Sequence, residues 1–171
     1  MDVPQILASV GSIALIVGIV VGLLQLRSLA QQRREEMVLR LAAPFYDPAF
    51  QRAYWQIQGW TFASFAEFDA KATLDEVTTL DVVGTYFEMM GLLYKRGMAK
   101  LDLLDDLLAS QVLIAWSKTA PLIYGYRVKE NSPDWGEWFE YLAVTLDKRL
   151  TALGEPHKAI PDPAVLSGGE V

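Results

Sequence analysis

Hydrophobic positions follow two regimes along the chain. From Ile6 to Leu26 a run of 21 residues carries no charge and is built mainly of Ile, Leu, Val, Ala and Gly. At the helical rise it matches the roughly 30 Å of hydrocarbon in a bilayer, so it predicts a transmembrane helix. Beyond it, apolar residues return at helical spacing and no stretch alternates long enough for a strand, which predicts an all-α body. Arg27 to Leu41 lacks Pro and Gly and is expected to extend the helix as a stalk, until Pro44 and Pro48 break it.

Asp47 before Pro48 is a suitable N-cap for a helix whose Phe50, Tyr54 and Ile57 share one face, with Trp60 near its end. Ser64 with Glu67, and Thr73 with Glu76, are capping-box patterns. The second opens a long helix expected to stop near Gly97. Its Leu80, Val83, Phe87, Met90 and Tyr94 lie on one face, and Val82 and Met89 extend the apolar surface, so it is expected to be the central helix. Gly84 and Gly91, seven residues apart, would let a neighbour approach. A further helix from about Asp102 should end or kink at Pro121, with a short piece over 122–128. The last should begin at Ser132-Pro133-Asp134 and stop at Gly154. From Glu155 the Pro- and Gly-containing composition predicts an extended or disordered tail. The expected organisation is an N-terminus over 1–5, a span over 6–26, a basic stalk over 27–43, a helical bundle over 44–154 and a tail over 155–171.

Charge gives this layout a direction. Residues 1–41 hold four Arg against Asp2, Glu35 and Glu36, a net of +1, and the remaining 11 basic and 18 acidic residues give −7, which together make the formal net charge of −6. An acidic body argues against nucleic acid as a partner. No Lys or Arg precedes the span, whereas Arg27, Arg33, Arg34 and Arg40 follow it, so the N-terminus is expected outside and the body cytoplasmic. The missing basic n-region and the length of the run argue against a cleaved signal peptide. Within the span Ala14, Gly18 and Gly22 recur on one face. They suit pairing with a second helix, of a protein partner or of another copy, although ordinary span composition explains the same glycines.

Little in the chain resembles chemistry. There is no Cys, and the single histidine, His157, stands in the tail without a clustered ligand set. No common phosphate-binding motif occurs, so no cofactor, metal or catalytic residue is expected. Asp102, Asp105 and Asp106 at a helix start are explained as cap and dipole partners. Glu88, Arg127 and Glu140 are each flanked by apolar residues. Buried charges need partners, so Arg127 is expected to bridge Glu88 and Glu140 as a polar lock. Trp135 and Trp138 are candidates for an exposed docking surface.

The span, the basic stalk, Tyr46-Asp47-Pro48-Ala49-Phe50, Phe87-Glu88-Met89-Met90-Gly91-Leu92-Leu93, Trp116, Arg127 and Trp138-Phe139-Glu140-Tyr141-Leu142 together resemble an uncharacterised bacterial family of single-pass membrane proteins with a helical domain of unknown function. The resemblance implies a bacterial protein, hence a place in the inner (cytoplasmic) membrane, and implies no catalytic residue. The expected function is therefore a non-enzymatic membrane-anchored interaction module or accessory subunit of a larger complex. The alternative is a tethered enzyme or small-ligand receptor with a pocket among the helices.

Overall fold

The computed structural model describes residues 3–157, with side chains in the first helix described at 17–29, 32, 33, 36, 40, 41 and 43–46. Over these residues the chain is all-α: α1 (Val3–Tyr46), α2 (Pro48–Gln58), α3 (Phe65–Lys71), α4 (Leu74–Lys95), α5 (Leu101–Lys129) and α6 (Glu137–Leu153). It divides into one unit through Ala43 and a second from Pro44.

In the first unit α1 includes the expected stalk. The first part of the expected span, 6–16 with Ala14, and the side chain of Arg34 lie outside the described side chains, as 1–2 and the tail from 158 lie outside the described residues. Over the described residues, no helix is long and apolar enough to cross a membrane. Glu36 pairs with Arg40 one turn on at 2.6 Å, an exposed pair of small energetic weight.

In the second unit the helix starts follow local capping. Pro44 lies inside α1 and does not break it; the break falls at Asp47, whose carboxylate accepts from the Ala49 amide at 2.7 Å with Pro48 at the first helical position. Thr73 and Glu76 complete their capping box at α4. At α3 the box is half formed, because Ser64 accepts from the Glu67 amide while the Glu67 carboxylate turns back to the amide of Ala63 instead of Ser64.

Packing bears on three further expectations. Pro121 does not end the helix: α5 is 29 residues long and continues through it to Lys129. The proline ring removes the bond to the Ser117 carbonyl, at a cost of about 3 kcal/mol. Burial of Leu122 and Ile123 beside it offsets that, at roughly 1.5–3 kcal/mol each. The central role expected of α4 is shared: α4 packs against α2, α5 and α6, with Val82 and Met89 exposed, and α5 packs against α2, α3, α4 and α6 and buries residues from Leu104 to Ile123. Finally, Ser132-Pro133-Asp134 does not start the last helix. It forms a turn closed by the Trp135 amide on the Ser132 carbonyl at 3.2 Å, and α6 begins after Gly136, whose φ of +70° lies in the left-handed region.

The core centres on Phe87, Trp116 and Phe139, all fully buried. Phe139 stacks on Phe87 at 5.0 Å and meets Trp116 edge-on at 4.9 Å, which joins α4, α5 and α6. The expected α2 face, Phe50, Tyr54 and Ile57, is buried as a stripe. Trp60 closes the unit beside Phe68, its carbonyl accepting from Lys118 at 2.8 Å. Gly91 of α4 is where α6 comes closest: a Cβ built there would stand 1.9 Å from the Trp138 carbonyl oxygen. Gly84, its partner in the sequence pattern, has nothing within 4 Å.

Candidate functional site

The start of α6 organises the polar chemistry of the second unit. A helix presents unsatisfied amides in its first turn, usually met by a side chain at the N-cap. Gly136 occupies that position and has none to offer. Glu88 replaces it from α4: its two carboxylate oxygens accept from the amides of Trp138 at 3.2 Å and Phe139 at 2.7 Å. The carboxylate thus sits at the positive end of the α6 dipole and caps a helix to which it does not belong. Burial raises the Glu88 pKa above the ordinary carboxylate value; the two amide bonds pull it down in part, Glu137 opposes them and Arg127 assists. Glu88→Ala leaves both amides without their acceptor. We expect it to lower stability by about 1–3 kcal/mol, read by denaturant unfolding; a change within about 0.5 kcal/mol would remove the capping role.

Arg127 and Glu140 form the second half of the expected polar lock. Nη1 of Arg127 donates to Glu140 Oε2 at 2.7 Å and its Nε donates to the Trp135 carbonyl at 2.7 Å. The Tyr124 hydroxyl donates to the other oxygen of Glu140, and the guanidinium lies over the Tyr124 ring at 5.0 Å. Burial, then the hydrogen bond to Glu140, pushes the Tyr124 pKa up. The side chains of Arg127 and Glu140 are only 15% and 23% exposed. The expected bridge is corrected in one arm: Arg127 holds Glu140 and the turn before α6, while Glu88 goes to the helix amides. Nη2 of Arg127 is buried with no hydrogen-bond partner. Backbone donors and acceptors at the turn, invisible in the side-chain pattern, decide this division.

A half-open cleft of about 260 Å³ lies beside these groups, between α4, α5 and the turn before α6. Its apolar lining comes from Leu80, Ile123, Trp135 and Phe139, and its polar lining includes the carboxyl groups of Asp81, Glu88 and Asp134. Neither Arg127 nor Glu140 lines it. Asp134 accepts from the Ser132 hydroxyl at 2.8 Å. Asp81 has no ion-pair or hydrogen-bond partner among the described residues, and burial raises its pKa. Asp81, Gly84, Thr85 and Glu88 fall at i, i+3, i+4 and i+7, a polar and small stripe on an otherwise apolar helix. That spacing is the one sequence signal of the cleft; Trp135 and Asp134 join it only through the fold.

The remaining candidates separate. Asp102 stands in the first turn of α5, as a dipole partner should, but neither it nor Asp105 caps the helix, whose N-cap Lys100 makes no side-chain cap bond; both pair with Arg149 of α6, at 2.9 and 2.7 Å. Trp135 and Trp138 are half-buried, and the tryptophan that stands out is Trp55, 68% exposed. Lys95 lies over the rings of Trp138 and Tyr141. His157 folds back on Asp147 of α6 at 3.0 Å, so the described start of the tail is tied down rather than free. Its pKa is raised, by the Glu155 carbonyl first and Asp147 after it. Among the described residues no group of three or more His, Asp or Glu side chains is placed to hold a metal ion. In the first unit Gly18 and Gly22 have nothing within 4 Å of a built Cβ, and Arg27, Arg33 and Arg40 are exposed.

Comparison with known proteins gives one match. A family model described as a domain of unknown function, DUF4760, matches residues 12–146. No curated protein and no solved structure matches.

Proposed function

The chain belongs to the DUF4760 family, and from that premise we propose that it is a membrane-anchored helical protein, an interaction module or accessory subunit of a larger membrane complex rather than an enzyme. The observation that carries this is the surface of α1: Val17, Ile19, Val20, Val21, Leu23, Leu24, Leu26 and Leu29 are each 45–64% exposed. At 100° per residue these positions cover every side of the helix, so no single core could bury them. Hydrocarbon can, and the uncharged run back to Ile6 supplies the remaining length. Arg27, Arg33, Arg34 and Arg40 then keep the following body at the cytoplasmic face, with the N-terminus outside, as in a bacterial inner membrane. The small residues Ala14, Gly18 and Gly22, which the sequence spaces on one face, are the contact for a partner helix or a second copy, and the space around Gly18 and Gly22 is open.

The absence of native cysteine makes the test direct. Single cysteines placed at positions 2 and 166 are probed in intact cells with a membrane-impermeant maleimide. The first should label at once and the second only after permeabilisation, with the protein remaining in the membrane pellet after a carbonate wash. Release by carbonate overturns the anchor, and the reverse labelling overturns the orientation. Gly18→Ile with Gly22→Ile should abolish co-purification of the partner or second copy; unchanged co-purification overturns the contact.

A second reading, a tethered receptor or enzyme for a small ligand, is favoured by the cleft beside Glu88.

A further inference from the structure

We propose that the cleft between α4 and the turn before α6 binds a small organic cation, an ammonium or amidinium group carried on an apolar body. The inference rests on the second reading above and specifies its ligand class. Volume sets the size: about 260 Å³ holds a molecule of roughly a dozen non-hydrogen atoms. The lining sets the chemistry. Trp135, Phe139, Leu80 and Ile123 offer apolar and aromatic surface, while Asp81, Glu88 and Asp134 bring three carboxyl groups with no Lys or Arg among the lining residues. The nearby guanidinium of Arg127 holds Glu140 through Nη1 and the Trp135 carbonyl through Nε, and is not among the lining residues. A cation placed between these carboxylates and the Trp135 ring gains both Coulomb attraction and a cation–π contact.

Gly84 is an independent observation. It sits in the middle of α4, where glycine costs about 0.5–1 kcal/mol relative to alanine, and it is in the cleft wall. No neighbour requires it, because nothing lies within 4 Å of a Cβ built there. What its missing side chain preserves is the opening of the cleft and a close approach to the α4 backbone. Asp81, one turn before it, has no cation of the chain to pair with among the described residues, so its charge is available to a ligand.

The test titrates phenethylammonium chloride into the full chain in nonionic detergent, followed by calorimetry, with 2-phenylethanol as the uncharged counterpart. The expected results are saturable binding of the cation, at least tenfold weaker binding of the alcohol, and at least tenfold weaker cation binding by Asp81→Asn. Gly84→Leu should abolish binding by filling the wall, with retained helicity checked by circular dichroism. Asp81→Asn removes a charge at the cleft mouth that has no ion-pair partner among the described residues, and does not depend on that control. Equal binding of cation and alcohol, or an unaltered Asp81→Asn, overturns the cation class while leaving a ligand cleft. Failure of both probes to bind overturns the cleft as well.

Discussion

Gly91→Ala should destabilise the second unit by about 3 kcal/mol, at the upper end of the range for overpacked positions. The new methyl group would stand 1.9 Å from the Trp138 carbonyl oxygen, 2.5 Å from its carbonyl carbon and 3.0 Å from its Cβ. Two of these atoms are backbone, so no rotamer change relieves the contact and α4 must move away from α6. That movement also draws Glu88 from the amides of Trp138 and Phe139, so a packing clash becomes a lost helix cap. Gly84→Ala on the same helix is the matched comparison: it meets nothing within 4 Å and should stabilise by about 0.5–1 kcal/mol. Urea unfolding of both variants, followed by tryptophan fluorescence, reads the contrast. Equal effects of the two substitutions would refute the close crossing at Gly91.

The second large effect is expected at Arg127. Arg127→Met leaves the Glu140 carboxylate with only the Tyr124 hydroxyl and the Trp135 carbonyl without its donor. Removing one partner of a buried ion pair costs about 3–5 kcal/mol, and the residual exposure of this pair reduces that to roughly 2–3 kcal/mol. The double variant Arg127→Met with Glu140→Gln removes the stranded charge yet keeps an acceptor for Tyr124. It should recover more than half of the loss, because most of the penalty in the single variant is an uncompensated carboxylate. A complete double-mutant cycle measures the coupling. Additive single effects would show that Arg127 acts through Trp135 alone and not through Glu140.

These two predictions mark the boundary of what residue pattern can reach. Gly84 and Gly91 look equivalent in the sequence, since both are small residues on one face of a long apolar helix. Only the crossing of α6 distinguishes them, placing backbone against one and the opening of a cleft against the other. Likewise Glu88, Arg127 and Glu140 are recognisable as charges in apolar surroundings, but the choice of partner belongs to the turn around Trp135 and to a helix start whose own cap residue is glycine. A hydrogen bond to a backbone amide leaves no trace in side-chain periodicity.

By itself the sequence determined the all-α class, the α2 core stripe, the caps at Asp47, Ser64 and Thr73, the stop at Gly154 and the polar groups that would need partners. Each depends on neighbours within a turn or two, where propensity and capping act. Tertiary structure alone decided that α5 continues through Pro121, that Asp102 and Asp105 hold Arg149, that Glu88 caps α6 from α4 and that a cleft opens beside it. The physical reason is common to all four. Burial energy, backbone hydrogen bonds and ion-pair partners supplied by segments tens of residues away outweigh local preferences of one to three kcal/mol, and no local pattern encodes which segment will arrive.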